Sequence, residues 1–174
     1  MRYLIDTHIF IWRAREKWKL TPDVLAIIDD YGNDICISSE SLKELVQLWN
    51  KKPHIRKWWR TPLDLVRAVE DECYFRVLYL HKEHYETYAS LQINEAQEHY
   101  DLSDHLIISH AITNRIPLIS ADQKFDFYCK QGLELIKNEK RPARADLPLG
   151  IPQGGAWLVQ ESSARQSIRI YNPI

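Results

Sequence analysis

No two of the three cysteines, Cys36, Cys73 and Cys129, form a C-x-x-C pair. That argues against a disulfide framework and against a zinc knuckle. Cys36, inside Ile35-Cys36-Ile37, reads instead as a small core residue. Neither sign of charge predominates: the net charge is −1, so no global basic field announces a nucleic-acid partner, and such a partner must be held locally. No apolar run approaches membrane-spanning length. The N-terminus lacks the basic region and long apolar run of a signal peptide, and the expectation is a cytoplasmic protein. There is no Walker A lysine motif, no dinucleotide glycine fingerprint and no Ser-His-acid or Cys-His arrangement. Repeats and low-complexity tracts are absent too.

What is present is enough chain for one domain with an appendage: 174 residues, with six Trp and nine Tyr as a rich aromatic supply. The informative stretch comes almost at once, at Tyr3-Leu4-Ile5-Asp6-Thr7-His8. A short apolar run without alternation suits a strand covered on both faces, as in a parallel sheet. Asp6 then falls just past the carboxyl end of that strand, where open α/β sheets collect ligands and catalytic groups. The pattern recurs at Ile116-Pro117-Leu118-Ile119-Ser120-Ala121-Asp122. Taken singly, Asp6 and Asp122 read equally well as turn and cap residues.

Between these strands the chain alternates. His8 to Arg15 reads as a short helix. Thr21-Pro22 is a hydroxyl N-cap followed by proline at the first helical position, and Asp34 to Ser38 reads as a second strand. Ser38, Ser39 and Ser41 offer caps for a helix to about Trp49, which carries Glu44 among Leu42, Leu45 and Leu48. A carboxylate beside an apolar stripe is costly unless paired or ligating, although Glu44 on the flank can also point to solvent. Thr61-Pro62 opens another helix, Phe75 to Leu80 reads as a third strand, and His81 to Leu91 is helical in composition. Asp101 fits an N-cap, which places Asp104 three residues into a helix that is apolar nearly all round. There Asp104 suits either a capping-box acid or a buried acid aimed at the sheet edge. His105 and His110 have no metal-ligand spacing with a third partner and read as structural. Ile116 to Ser120 is the fourth strand and Leu133 to Ile136 a short last one. Strands alternating with helices imply a parallel sheet covered on both faces.

One basic run stands out, Lys51-Lys52-Pro53-His54-Ile55-Arg56-Lys57-Trp58-Trp59-Arg60. Lys51, Lys52, Arg56, Lys57 and Arg60 can hold phosphates while Trp58 and Trp59 stack on bases. The same residues suit a protein partner, or a solvated loop whose indoles fold back onto the core. From 137 to 174 prolines and glycines crowd together with little periodicity, as in a linker or extended arm.

The acids weigh more together than apart. Asp6, Glu44, Asp104 and Asp122 can converge on one sheet edge, where mutual repulsion would raise their pKa values and a divalent cation would relieve it. All-oxygen ligation selects Mg²⁺ or Mn²⁺ over zinc. Such an ion can activate a water and stabilise the leaving oxygen of a phosphodiester.

Leu4-Ile5-Asp6-Thr7-His8, Ser41-Leu42-Lys43-Glu44-Leu45, Asp101-Leu102-Ser103-Asp104-His105-Leu106-Ile107-Ile108 and Leu118-Ile119-Ser120-Ala121-Asp122, in this order, resemble a PIN domain. The likeness is greatest to the VapC-type toxins of bacterial type II toxin–antitoxin pairs, and it covers about residues 1–136. It implies an α/β fold: a three-layer α/β/α sandwich with a central, mostly parallel sheet. It also implies an endoribonuclease that depends on Mg²⁺ or Mn²⁺ and hydrolyses RNA phosphodiester bonds with a carboxylate-held, metal-activated water. Asp6, Glu44, Asp104 and Asp122 match the family's metal-binding and catalytic acids, with Thr7, Asp101 and Asp126 as supporting groups. The family implies a homodimer and a cognate antitoxin whose tail blocks the acidic groove. The chain departs from the pattern after Trp49, where the Trp pair replaces a glycine-containing basic loop. It departs again in the 137–174 extension, which is either disordered or an interaction arm whose Arg165 or Arg169 imitates an antitoxin. Two other readings compete. One is a haloacid-dehalogenase-like phosphatase with Asp6 as nucleophile, weakened because His8 stands where its general acid should be. The other is a PIN-like interaction module without catalysis.

Overall fold

The computed structural model describes residues 1–138. Within it, Leu4 and Ile5 are fully buried although they are adjacent, which requires a strand covered on both faces. That strand, β1 (Arg2–Ile5), is the middle of a five-stranded sheet with β2 (Asp34–Ser38), β3 (Arg76–Leu78), β4 (Leu118–Ser120) and β5 (Leu135–Lys137). The order is β3-β2-β1-β4-β5, and every neighbouring pair is parallel. The register stacks Leu4 with Cys36 and Leu118 in one row, and Ile5 with Ile37 and Ile119 in the next. Because strand side chains alternate in direction, the two rows feed two cores. Ile5, Ile37 and Ile119 pack with Ile9, Phe10, Leu45 and Leu65, whereas Leu4, Cys36 and Leu118 pack with Ile107, Ile108 and Phe125. This is the α/β/α sandwich expected, with a sheet that is parallel throughout.

The helices are α1 (Thr7–Arg15), α2 (Pro22–Asp29), α3 (Ser39–Lys51), α4 (Ile55–Trp58), α5 (Pro62–Asp71), α6 (Lys82–Ser90) and α7 (Leu102–Asn114). Their starts follow local chemistry. The Thr21 hydroxyl accepts from the Val24 N–H at 3.3 Å. Thr61 and Asp64 form a reciprocal capping box, and Asp101 accepts from the Ser103 N–H at 2.9 Å.

Several boundaries differ from the sequence reading. β3 stops at Leu78, because the next free N–H on this edge, that of Leu80, is taken by the Ser39 hydroxyl at 3.1 Å. Pro117 lies outside β4, although its carbonyl still accepts from Leu4 at 2.9 Å. The fold also runs past residue 136. Lys137 closes β5, and buried Asn138 accepts from the Thr21 N–H at 2.7 Å and donates to the Lys19 carbonyl at 2.9 Å. The rest of the extension, with Arg165 and Arg169, lies outside the described residues.

β1 is the point where the strand order turns. The chain builds outward on one side through β2 and β3, then returns to the other side with β4 and β5. In doubly wound sheets the crevice at such a switch point, beyond the carboxyl ends of the strands, is where ligands bind. Asp6 directly follows β1, and Asp122 lies two residues beyond β4.

Candidate metal centre

Four elements bring carboxylates to this crevice. Asp6 follows β1, Glu44 projects from α3, Asp101 and Asp104 open α7, and Asp122 caps the 3-10 turn Gln123–Gln131. A cavity of ≈ 610 Å³ is walled by all five, with His8 and Lys124 also lining it. Oxygens of Glu44, Asp101 and Asp104 lie within 4.8 Å of one another, the one such grouping among the described residues. Asp6 and Asp122 line the same cavity without entering that tightest set. The sequence reading placed Asp101 among the supporting groups; the structure puts it at the centre beside Glu44 and Asp104.

Each acid is held. The Thr7 hydroxyl donates to Glu44 Oε2 at 2.5 Å. The Ser120 hydroxyl donates to Asp6 Oδ2 at 2.8 Å and accepts from the Asp122 N–H at 3.1 Å, so one side chain ties the two strand-end acids together. Asp122 Oδ1 accepts from the Lys124 N–H at 2.8 Å. Asp101 uses only Oδ1 for its cap, taking the Ser103 and Asp104 amides at 2.9 and 3.4 Å, which leaves Oδ2 for the cavity. Asp104 Oδ2 meets His99 Nε2 at 3.0 Å. Buried Glu40 accepts from the Ser103 hydroxyl at 2.7 Å and pairs with Lys43, which pins the start of α3 to the start of α7.

Burial and like charge act on these groups as the cluster demands. Burial pushes the Glu44 carboxyl up to about 7; the Thr7 hydrogen bond opposes this, while the charges of Asp6 and Asp104 add to it. Burial likewise raises Asp6 above the ordinary carboxylate range, against the pull of His8. Among the described residues no lysine or arginine forms a salt bridge with any of the five acids. A crowded, all-oxygen, uncompensated set of this kind fits a hard divalent cation, Mg²⁺ or Mn²⁺, better than zinc.

Three expected site residues lie elsewhere. Asp126 faces an adjoining cavity of ≈ 840 Å³ rather than the acidic one, and it pairs with Lys137 at 2.5 Å. Trp59 is 2% exposed and packs on Phe10, with its rings 6.1 Å apart, so it cannot stack on a base. Trp58 is half-buried against the same core. The reason is one of magnitude: burying ~200 Å² of indole is worth about 5 kcal/mol, against about 1–3 kcal/mol for stacking on a base. Arg56 is exposed but donates to the Trp49 carbonyl at 2.9 Å and to that of Asn50, both in the last turn of α3. Lys51, Lys52, Lys57 and Arg60 remain exposed. Sequence reasoning missed Ser120, His99 and Glu40. Ser120 carried a signal, a hydroxyl two residues before Asp122; His99 and Glu40 carried none that spacing reveals.

The fold and site define a parallel α/β domain with an acidic, cation-type crevice at its switch point. The PIN domain family model matches residues 3–131, and the chain belongs to that family, which sets aside the phosphatase reading of Asp6. No curated protein matches the chain. Among solved structures the fold is similar to VapBC2 of Rickettsia felis bound to promoter DNA, with TM-score 0.60 and 21% identity over 80% of this chain and 100% of that one. It is similar also to VapBC-1 of nontypeable Haemophilus influenzae, with TM-score 0.57 and 19% identity over 79% and 98%. A third is the toxin–antitoxin protein VapBC-5 of Mycobacterium tuberculosis, with TM-score 0.53 and 22% identity over 78% and 98%. Among the described residues no helix is long and apolar enough to cross a membrane.

Proposed function

We propose that the protein is a Mg²⁺- or Mn²⁺-dependent endoribonuclease of the VapC kind, the toxin of a toxin–antitoxin pair. The observation that carries the reading is the convergence of Asp6, Glu44, Asp101, Asp104 and Asp122 on one cavity at the switch point of a PIN fold. In this reading Glu44, Asp101 and Asp104 hold the cation, with Asp6 and Asp122 completing the site. A bound divalent cation would lower the pKa of a water and neutralise charge developing on the phosphodiester. The chain's own groups do the rest. Thr7 fixes the Glu44 carboxylate, and Ser120 sets the spacing of Asp6 and Asp122. Lys124 offers positive charge and His8 a hydrogen-bonding imidazole at the rim, toward a phosphate. The exposed Lys51, Lys52, Lys57 and Arg60 contact RNA backbone or an acidic antitoxin segment. An antitoxin partner belongs to the same reading, supported by the VapBC likeness, and so do a homodimer and a cytoplasmic location. Residues 1–138 then form the nuclease unit, with the Pro/Gly-rich remainder as an arm.

The test is cleavage of RNA with Mn²⁺, with chelator, and with Asp104→Asn. Cleavage lost with chelator and reduced at least a hundredfold in Asp104→Asn is expected. Protein that binds Mn²⁺ yet cuts no RNA would leave the family's fold as an interaction module.

A further inference from the structure

Behind Asp104 lies a buried chain of polar groups that the proposed chemistry does not use. Asp104 Oδ2 meets His99 Nε2 at 3.0 Å, His99 Nδ1 meets Tyr128 Oη at 3.0 Å, and Tyr128 Oη meets His105 Nε2 at 2.8 Å. The Asn94 N–H also points to Tyr128 Oη, at 3.4 Å. His99, His105 and Tyr128 are 2%, 1% and 0% exposed.

Counting donors and acceptors places the proton between His99 and Asp104. An ionised carboxylate only accepts, so His99 Nε2 must donate to Asp104. Tyr128 Oη has one proton and two lone pairs. It accepts from Asn94, so it has one further lone pair and one proton for the two histidines. Whichever histidine takes the Tyr128 proton, His99 Nε2 donates to Asp104 and Tyr128 Oη anchors His99 at Nδ1.

We infer that His99 is a positioning residue for the cation site: anchored by Tyr128, it holds one oxygen of Asp104 and so fixes where the other is presented to the cavity. This rests on the reading of Asp104 as a metal ligand. His99 does so from outside the helix that carries Asp104, on the segment after the 3-10 turn Glu95–Gln97, where Glu98 adopts a left-handed φ of 49°. Groups hydrogen-bonded behind a metal ligand typically contribute about 10–100-fold to metal affinity.

The test is Mn²⁺ affinity by calorimetry on the full chain. His99→Leu, folded by circular dichroism, is expected to bind Mn²⁺ about tenfold more weakly. His99→Gln, which keeps an N–H near the Nε2 position, should recover most of that loss. A His99→Leu protein that binds within about twofold of wild type, or a His99→Gln protein as weak as His99→Leu, overturns the inference. If His99→Leu does not fold, Tyr128→Phe decides, with several-fold weakening expected and unchanged affinity overturning it. A second readout needs neither variant nor metal: long-range ¹H–¹⁵N spectra of the wild type should show a proton on His99 Nε2. A His99 without a proton on Nε2 overturns the inference. Wild type that binds Mn²⁺ and depends on His99 but cuts no RNA defeats only the nuclease reading. Wild type that binds no Mn²⁺ defeats both.

Discussion

Glu44 is the residue on which charge and stability meet most directly. Its carboxyl sits at about 7 in the folded chain, above its ordinary 4.5. The folded state therefore binds the proton more tightly than the unfolded one. The corresponding stability is fully present below pH 4.5 and is lost as the pH rises through 7. At pH 8 without metal, Glu44→Gln should stabilise the protein by about 1–2 kcal/mol, because the group is partly solvated and its shift is discounted accordingly. The same variant should lose the stabilisation that Mn²⁺ gives the wild type. Thermal melts with Mn²⁺ or chelator measure both, and a Glu44→Gln protein less stable than metal-free wild type would contradict the account. Thr7 belongs to the same scale, since its hydroxyl favours the charged form of Glu44 that a cation requires.

At the scale of the element, α7 does two jobs with adjacent acids. Asp101 is both the N-cap of the helix and a member of the tight acidic set. The two roles separate by substitution. Asp101→Asn keeps a capping oxygen and removes the charge, so stability should stay within about 0.5 kcal/mol while Mn²⁺ binding weakens. Asp101→Ala should lose the binding and also about 1 kcal/mol of stability. Urea midpoints beside calorimetry would resolve them, and equal stability in the two variants would show that the cap is idle. The element scale also decides between the readings that the basic run left open. The run from Lys51 to Arg60 has the composition of a basic–aromatic patch. Its middle folds as the short helix α4, whose Ile55 and the following Trp59 enter the core while Lys57 stays outside. Periodicity over so short a run cannot separate a buried indole from an offered one.

Across the whole molecule, histidines brought together by packing set its response to acid. His110 on α7 is 1% exposed, with His84 of α6 4.2 Å from it, ring centre to ring centre. Burial first, then the nearby His84 and His81, push His110 down to about 4. Its Nδ1 meets the Ser38 hydroxyl at 3.0 Å, and its Nε2 has no partner among the described residues. Here the sign is opposite to that of Glu44. The unfolded chain binds this proton more readily, so stability is whole above pH 6.5 and falls as the pH drops toward 4. Denaturation midpoints between pH 7 and 4.5 should fall by the equivalent of about 2 kcal/mol from this group. His110→Asn should flatten that limb, and an unchanged slope in the variant would assign the acid sensitivity elsewhere. The sequence reading of His105 and His110 as structural agrees with their burial, but it could not foresee that His105 ends a hydrogen-bonded chain reaching Asp104.

What the sequence by itself determined is local or periodic. The caps at Thr21, Thr61 and Asp101 and the two-sided burial of Leu4 and Ile5 are short-range chemistry. So are the four acids in order, because strand-then-acid places a carboxylate at one edge of a parallel sheet wherever the strands pair. Tertiary structure decided which oxygens are neighbours. Asp101 stands in the tightest set and Asp126 does not, since one caps the helix that also carries Asp104 while the other turns toward Lys137. It also placed Ser120 between Asp6 and Asp122, His99 behind Asp104 and Trp59 in the core. The Ser120–Asp6, His99–Tyr128 and Phe10–Trp59 contacts join residues separated by 114, 29 and 49 positions. No propensity or spacing rule reaches that far, because such contacts exist only once the sheet order and the packing of its helices have been chosen.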